Sequence, residues 1–292
     1  MIKKYKNIVA AGCSFIEGSN IYEAIITPGK NREVVWTGRD HRMSKLLAKK
    51  LVIPEVNLAL AGSSNYRIIN NVINYVLENP DSKDLVIIGL SGITRRTVYS
   101  NFTEREWDIH TFQLNNEDQI KKLMNRFFGS DDDIEGYIKY RELEAKYLFN
   151  FEYEANKLSN NVLALCTLLE KYNKNYIVFN SLDDSIKKIK DKINFMSFNI
   201  DSDLKIEYPD AHKQVKPRLE DCWYHHVRVN HYKEYGEFGN TQNRQSTRPW
   251  GKWFCGGHPS PQANEDLTKL IIKKHNKLYP DYIFLEEHPD LV

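Results

Sequence analysis

Ser14 follows an apolar run, Asn7-Ile8-Val9-Ala10-Ala11, that passes into Gly12-Cys13-Ser14-Phe15. Three glycine-turn chemistries fail at this point. A dinucleotide fingerprint needs a second glycine where Ser14 stands, and a phosphate-binding loop needs lysine where Ser19 follows Gly18. The nucleophile elbow needs glycine where Ile16 stands. A serine at a strand-to-helix turn remains. There the backbone N–H groups and the helix dipole favour a developing oxyanion. The same position also suits a serine that only caps the helix.

Three other polar runs stand where strands are expected to end or a helix to begin. They are Gly62-Ser63-Ser64-Asn65, Gly89-Leu90-Ser91-Gly92-Ile93-Thr94-Arg95-Arg96, and His258-Pro259 ahead of the last helix. Ligands of open parallel sheets lie beyond the carboxyl ends of the strands, so these runs are the candidate site. Gly62 permits a turn with positive φ. Arg95 and Arg96 suit a substrate carboxylate or phosphate, or an ion pair with the polar stretch that follows them. Cys222, His225, His226 and His231 are the densest group of metal-ligand types. Their spacing matches no standard zinc site and a second cysteine is missing, so neither a metal nor an organic cofactor is expected. Trp223, Tyr224, Trp250, Trp253 and Phe254 crowd the stretch that leads to His258. Trp250 and Trp253 are candidate substrate contacts, since aromatic faces suit sugar rings; a small aromatic core is the other reading.

The elements that must position these residues are legible as periodicity. Asn7–Ala11, Val56–Leu60, Asp84–Ser91 and Tyr176–Asn180 are apolar runs of strand length. Between and after them, Met43, Leu46, Leu47 and Leu51, then Ile68 to Leu77, then Leu158 to Leu169, repeat at helical spacing. Ser260 and Pro261 fit the cap and first turn of a last helix that runs to about Leu278. Strands alternating with helices predict an α/β fold, a doubly wound parallel sheet in a single domain over 1–292. Residues 97–150, with the acidic run Asp131-Asp132-Asp133, and residues 183–250 break the pattern. They read as two polar, aromatic insertions, the first containing helices and no sheet unit.

The chain has 292 residues with 41 basic and 39 acidic side chains, for a formal charge of +2. That balance leaves no surplus to attract nucleic acid or an anionic membrane surface. No apolar run approaches the roughly 18 residues of a membrane span. The N-terminal apolar run is too short for a signal-peptide core, so synthesis and folding in a cytoplasm are expected. Cys13, Cys166, Cys222 and Cys255 are widely separated and are expected to be free thiols.

Taken in order, Gly12-Cys13-Ser14-Phe15, Gly62, Gly89-Leu90-Ser91-Gly92 and His258-Pro259 resemble the first, second, third and fifth blocks of the SGNH (GDSL-like) hydrolases. The matched blocks frame about half of the chain, and the resemblance is to divergent members found in tailed-phage genomes. It implies a flavodoxin-like three-layer α/β/α fold and hydrolysis of an acyl ester, with an acetyl group on a carbohydrate or surface polymer as the expected substrate. Ser14 would be the nucleophile and His258 its general base. The Ser14 and Gly62 backbones would hold the oxyanion, with Ser91 or Asn65 as further donors. Serine attacks well only when a base of suitable pKa takes its proton. Two positions depart from the family pattern. Ser91 stands where the family has an oxyanion-holding asparagine, and Cys255 stands where it has the aspartate that orients the histidine. A Ser-His dyad, or a carboxylate from an insertion such as Asp221, would then do the work. The alternative is a non-catalytic binding or structural protein on the same scaffold, self-associating or built into a virion.

Overall fold

Asp84–Leu90 is buried at every position, so it has no solvent face and takes the centre of a sheet. In the computed structural model this strand is one of four that pair in parallel. The structure describes residues 4–18, 22–25, 33–36, 38–100, 104–110, 121, 124–125, 134–198, 200, 205, 221–235, 253–255 and 258–282. Its strands are β1 (Asn7–Ala11), β2 (Tyr22–Ile25), β3 (Glu33–Trp36), β4 (Glu55–Asn57), β5 (Asp84–Leu90), β6 (Arg95–Ser100), β7 (Arg105–His110), β8 (Asn175–Asn180), β9 (Phe254–Cys255) and β10 (His258–Pro259). The helices are α1 (Ser14–Glu17), α2 (Met43–Leu51), α3 (Asn65–Glu78), α4 (Ile134–Leu143), α5 (Phe151–Lys171), α6 (Trp223–Tyr235) and α7 (Pro261–Leu278).

The central sheet runs β4-β1-β5-β8, the order expected of a flavodoxin-like doubly wound fold. Val9 of β1 lies between Val56 and Val86, and Val86 is in register with Tyr176. Beyond β8, Phe195 makes a single parallel bridge to Val178 at the place of a fifth strand. β4 is shorter than the strand expected over Val56–Leu60. Its ladder nevertheless continues, because Leu58 N–H donates to Ala10 O (2.7 Å) and Leu60 N–H to Gly12 O (3.2 Å).

Alternation along the strands divides the core into two layers. Ile8, Ala10, Leu85, Ile87, Ile177 and Phe179 pack with α2, α6 and α7 on one face. Val9, Ala11, Val86, Ile88, Tyr176 and Val178 pack with α3 and α5 on the other. Each fully buried aliphatic or aromatic side chain contributes about 1.5–3 kcal/mol, so both faces are held by many such contacts. Ser64 caps α3, Asn150 caps α5, and Ser260 caps α7 with Pro261 in its first turn.

Two expectations about the insertions need correction. Arg95–Ser100 and Arg105–His110 pair antiparallel as β6 and β7, where the stretch 97–150 was expected to hold helices and no sheet unit; it does hold α4. Residues 183–250, expected to be irregular, contain α6. The sequence reading also passed over the hairpin of β2 and β3. Asp131–Asp133 lie outside the described residues. Cys13, Cys166 and Cys222 are buried and outside any disulfide, and burial pushes the Cys166 thiol up to about 12. Among the described residues no helix is long and apolar enough to cross a membrane.

Candidate active site

β1 delivers the chain through Gly12 and Cys13 into α1, a single helical turn whose first residue is the buried Ser14. The geometry of this turn is set by Ile16, which is fully buried and folds back over β1 and β5. A Cβ on Gly12 would lie 2.3 Å from Ile16 Cγ1, and one on Gly89 would lie 2.7 Å from Ile16 Cδ1. Close approach therefore requires glycine at both positions, and the Ser14 turn is pinned to the ends of two adjacent strands.

The second loop is tied to the first through the Leu60–Gly12 hydrogen bond. It then turns at Gly62, whose φ of +81° is a left-handed conformation costly for other residues. Ser64 caps α3 by accepting from Arg67 N–H (3.2 Å). Asn65 begins α3 and is joined reciprocally to the third loop. Its Nδ2 donates to Ser91 O (2.9 Å), and Ser91 N–H donates to its Oδ1 (2.7 Å). Asn65, an oxyanion candidate from sequence, thus has both amide atoms engaged with the Ser91 main chain. The Ser91 side chain is fully buried, and its Oγ accepts from Arg95 Nη1 (2.9 Å).

The β6–β7 hairpin is fastened over this corner. Thr97 Oγ1 donates to Asp108 Oδ1 (2.7 Å) and lies 2.5 Å from Ser64 Oγ, while Arg67 pairs with Asp108. Arg96 pairs with Glu144 (2.7 Å) and Glu154 (3.0 Å) and lies over the Phe149 ring, so it realises the ion-pair reading. Arg95 points a different way, and among the described residues no carboxylate pairs with it.

His258 arrives from the far end of the chain. It stands across from Cys255 in the short β9–β10 pair, and Ser260 N–H donates to Trp253 O (3.1 Å) just before α7 begins. The half-buried imidazole meets the ring of Phe15 edge-on, with centroids 5.4 Å apart and planes at 75°. Phe15 also contacts Tyr224 of α6, which packs against Phe254. The aromatic stretch thus forms a core around the His258 strand. Trp253 joins its edge and donates to Glu234 Oε2 (3.0 Å); Trp250 lies outside the described residues.

Asp221 is committed elsewhere: its Oδ1 accepts from Phe198 N–H (2.7 Å) and its Oδ2 from Lys190 (2.8 Å). The candidate metal ligands of this region are dispersed as well. His226 pairs with Asp266 (2.9 Å) and stacks on Trp223, whereas His231 is buried beside Phe254. Burial, with Arg228 nearby, pushes His225 down to about 4. Among the described residues no three His, Cys, Asp or Glu side chains gather as metal ligands.

The sequence reading missed the fourth loop. Asn180 and Ser181 close β8, and Asn180 Nδ2 donates to Asp184 Oδ1 (3.0 Å). Ser63 Oγ, Ser181 Oγ and Asn180 Oδ1 are buried and, among the described residues, without a hydrogen-bond partner. An unpaired buried group of this kind costs about 1–3 kcal/mol, and these three lie at the carboxyl edge of the sheet. A polar pair ending the apolar run Tyr176–Phe179 was the available signal.

No family model and no curated protein matches the chain. Among solved structures the chain is similar to TesA, at 12% identity over 93% of this chain and 99% of that one, with a TM-score of 0.39. It is also similar to a GDSL-like lipase from Bacteroides thetaiotaomicron, at 13% identity over 94% and 89% of the two chains and a TM-score of 0.35. A catalytic mutant of an acetylxylan esterase from Geobacillus stearothermophilus matches at 9% identity over 94% and 96%, with a TM-score of 0.38.

Proposed function

We propose that the protein is a serine esterase in which Ser14 attacks an acyl ester and His258 serves as its general base. One observation carries this reading: Phe15, the residue next to Ser14, packs against the His258 imidazole. A serine in a turn fixed by glycine contacts and a histidine from the far end of the chain therefore share one corner of the carboxyl edge.

Ser14 Oγ bonds to the ester carbonyl carbon as its proton passes to His258, and the carbonyl oxygen becomes an oxyanion. The N–H groups of Ser14 and Gly62 are the proposed donors to that oxyanion, with Ser91 and Asn65 behind them. Collapse of the tetrahedral species breaks the bond to the alcohol, which leaves with the proton from His258. Water then gives its proton to His258 and attacks the acyl-enzyme, releasing the acid and restoring Ser14. No step needs a metal or organic cofactor. An acetyl group on a carbohydrate is the substrate we favour, with Trp250 and Trp253 as candidate sugar contacts.

A second reading, a non-catalytic binding protein on this scaffold, is favoured by one observation: the Asp221 carboxylate is engaged by Lys190 and Phe198. Hydrolysis of p-nitrophenyl acetate and butyrate decides between them. The esterase reading predicts turnover by the wild type and a loss of about 10³-fold or more in Ser14→Ala and in His258→Ala, with folding intact. No turnover by the wild type, or rates unchanged in both variants, would favour the binding protein.

A further inference from the structure

The cavity beside the site has a charge pattern that the ester chemistry leaves unexplained. It has a volume of about 400 Å³ and lies between α3, β6 and α5, with Asn65, Ile69, Arg95, Arg96, Lys157 and Asn161 among its walls. Its size falls in the range of small-ligand pockets. Asn65 and Ile93 in its wall belong to the second and third loops, which also carry Gly62 and Ser91.

The two adjacent arginines behave differently. Arg96 is neutralised by Glu144 and Glu154, and Glu144 is shared with Arg141. Glu154 is the carboxylate in the cavity wall, and it is the one Arg96 occupies. Arg95 and Lys157 have no carboxylate partner among the described residues. Arg95 is also fixed in place, because one nitrogen of its guanidinium donates to the buried Ser91 Oγ, whose backbone is clamped by Asn65. A held guanidinium with free donors suits a carboxylate, and a nearby flexible ammonium adds charge without demanding geometry.

Building on the esterase reading, we propose that this cavity binds a carboxylate carried by the ester substrate, with Arg95 as its principal partner and Lys157 assisting. The substrate class is then an anionic ester, such as an acyl group on an acidic sugar or a dicarboxylic half-ester.

The test compares three esters with the intact chain: phenyl acetate, 4-acetoxybenzoate and phenyl hydrogen succinate. The second carries its carboxylate on the leaving group and the third on the acyl group. Each rate is divided by that of alkaline hydrolysis to remove intrinsic reactivity. One of the charged esters is expected to exceed phenyl acetate in kcat/KM by about tenfold or more, and its identity shows which part of the substrate enters the cavity. Arg95→Met is expected to bring that preference within about twofold, and Lys157→Met, at an exposed position, to reduce it several-fold. Equal kcat/KM for all three esters, or an undiminished preference in both variants, overturns the proposal. Ligand-observed NMR with 4-hydroxybenzoate and phenol separates this site from the hydrolysis it rests on. Selective binding of the benzoate, weakened by Arg95→Met, in a chain that hydrolyses no ester would retain the anion site and remove the esterase. Equal binding of benzoate and phenol would remove the anion site.

Discussion

Phe15 stands edge-on to His258, 5.4 Å between ring centroids, and so couples the turn that carries Ser14 to the strand that carries the imidazole. Phe15, on α1, is itself buried and packs against α6 and β10. An edge-to-face aromatic contact adds about 0.5–1.5 kcal/mol beyond its area, enough to bias the orientation of the histidine ring. Across the strand pair from His258 stands Cys255. The support of His258 therefore includes packing.

Phe15→Leu keeps most of the buried volume and removes the aromatic ring. The expected result is a stability loss below about 1.5 kcal/mol by urea denaturation. Ester hydrolysis is expected to fall about tenfold, chiefly in kcat, because the base loses its alignment. An unchanged kcat would mean that His258 is held without Phe15.

Gly12→Ala drives a Cβ into Ile16 and is expected to cost about 1–3 kcal/mol through overpacking. Ile16→Ala alone opens a cavity and costs about 2–5 kcal/mol. Combined, the two should cost less than their sum, since Ile16→Ala removes Cγ1, the atom nearest the new Cβ, while the Cβ of residue 16 stays 2.7 Å away and keeps part of the clash. Strict additivity would contradict the close approach.

Asn65→Ala leaves both Ser91 main-chain groups buried without their partner, at an expected cost of about 2–5 kcal/mol. Asn65→Asp keeps an acceptor for Ser91 N–H and should lose less. Chemical denaturation of the two variants gives the comparison, and equal losses would remove the reciprocal pair as the reason.

Burial pushes His275 down to about 4 from its ordinary 6.5, where its ring meets the Tyr5 hydroxyl at 2.7 Å. A histidine held neutral in the fold binds a proton more readily when unfolded. The stability it contributes is whole above about pH 6.5 and is lost as pH falls toward 4. His225 acts over the same window. Urea midpoints should therefore decline between pH 7 and pH 4.5, and the decline should be shallower in His275→Gln.

The sheet and its covering helices were legible because their apolar residues recur with clear periods. Asp84–Leu90 is apolar along nearly its whole length, and Ile68, Val72 and Val76 lie on one helical face. The β6–β7 hairpin was hidden because Arg95, Arg96, Arg105 and Glu106 give its strands the composition of a loop. Its place is set by contacts among Ser64, Arg67, Thr97 and Asp108 that no local pattern encodes. Ser14, Gly62, Ser91 and His258 stood out as residue types at strand ends. The Asn65–Ser91 clamp did not, because it depends on how far two loops project from neighbouring strands.

The most direct test of the central claim is covalent labelling of the intact chain by a fluorophosphonate, followed by intact mass and peptide mapping. The account predicts one adduct per chain, located on Ser14, absent in Ser14→Ala and formed far more slowly in His258→Ala. No adduct, or an adduct on another residue that survives Ser14→Ala, would contradict it.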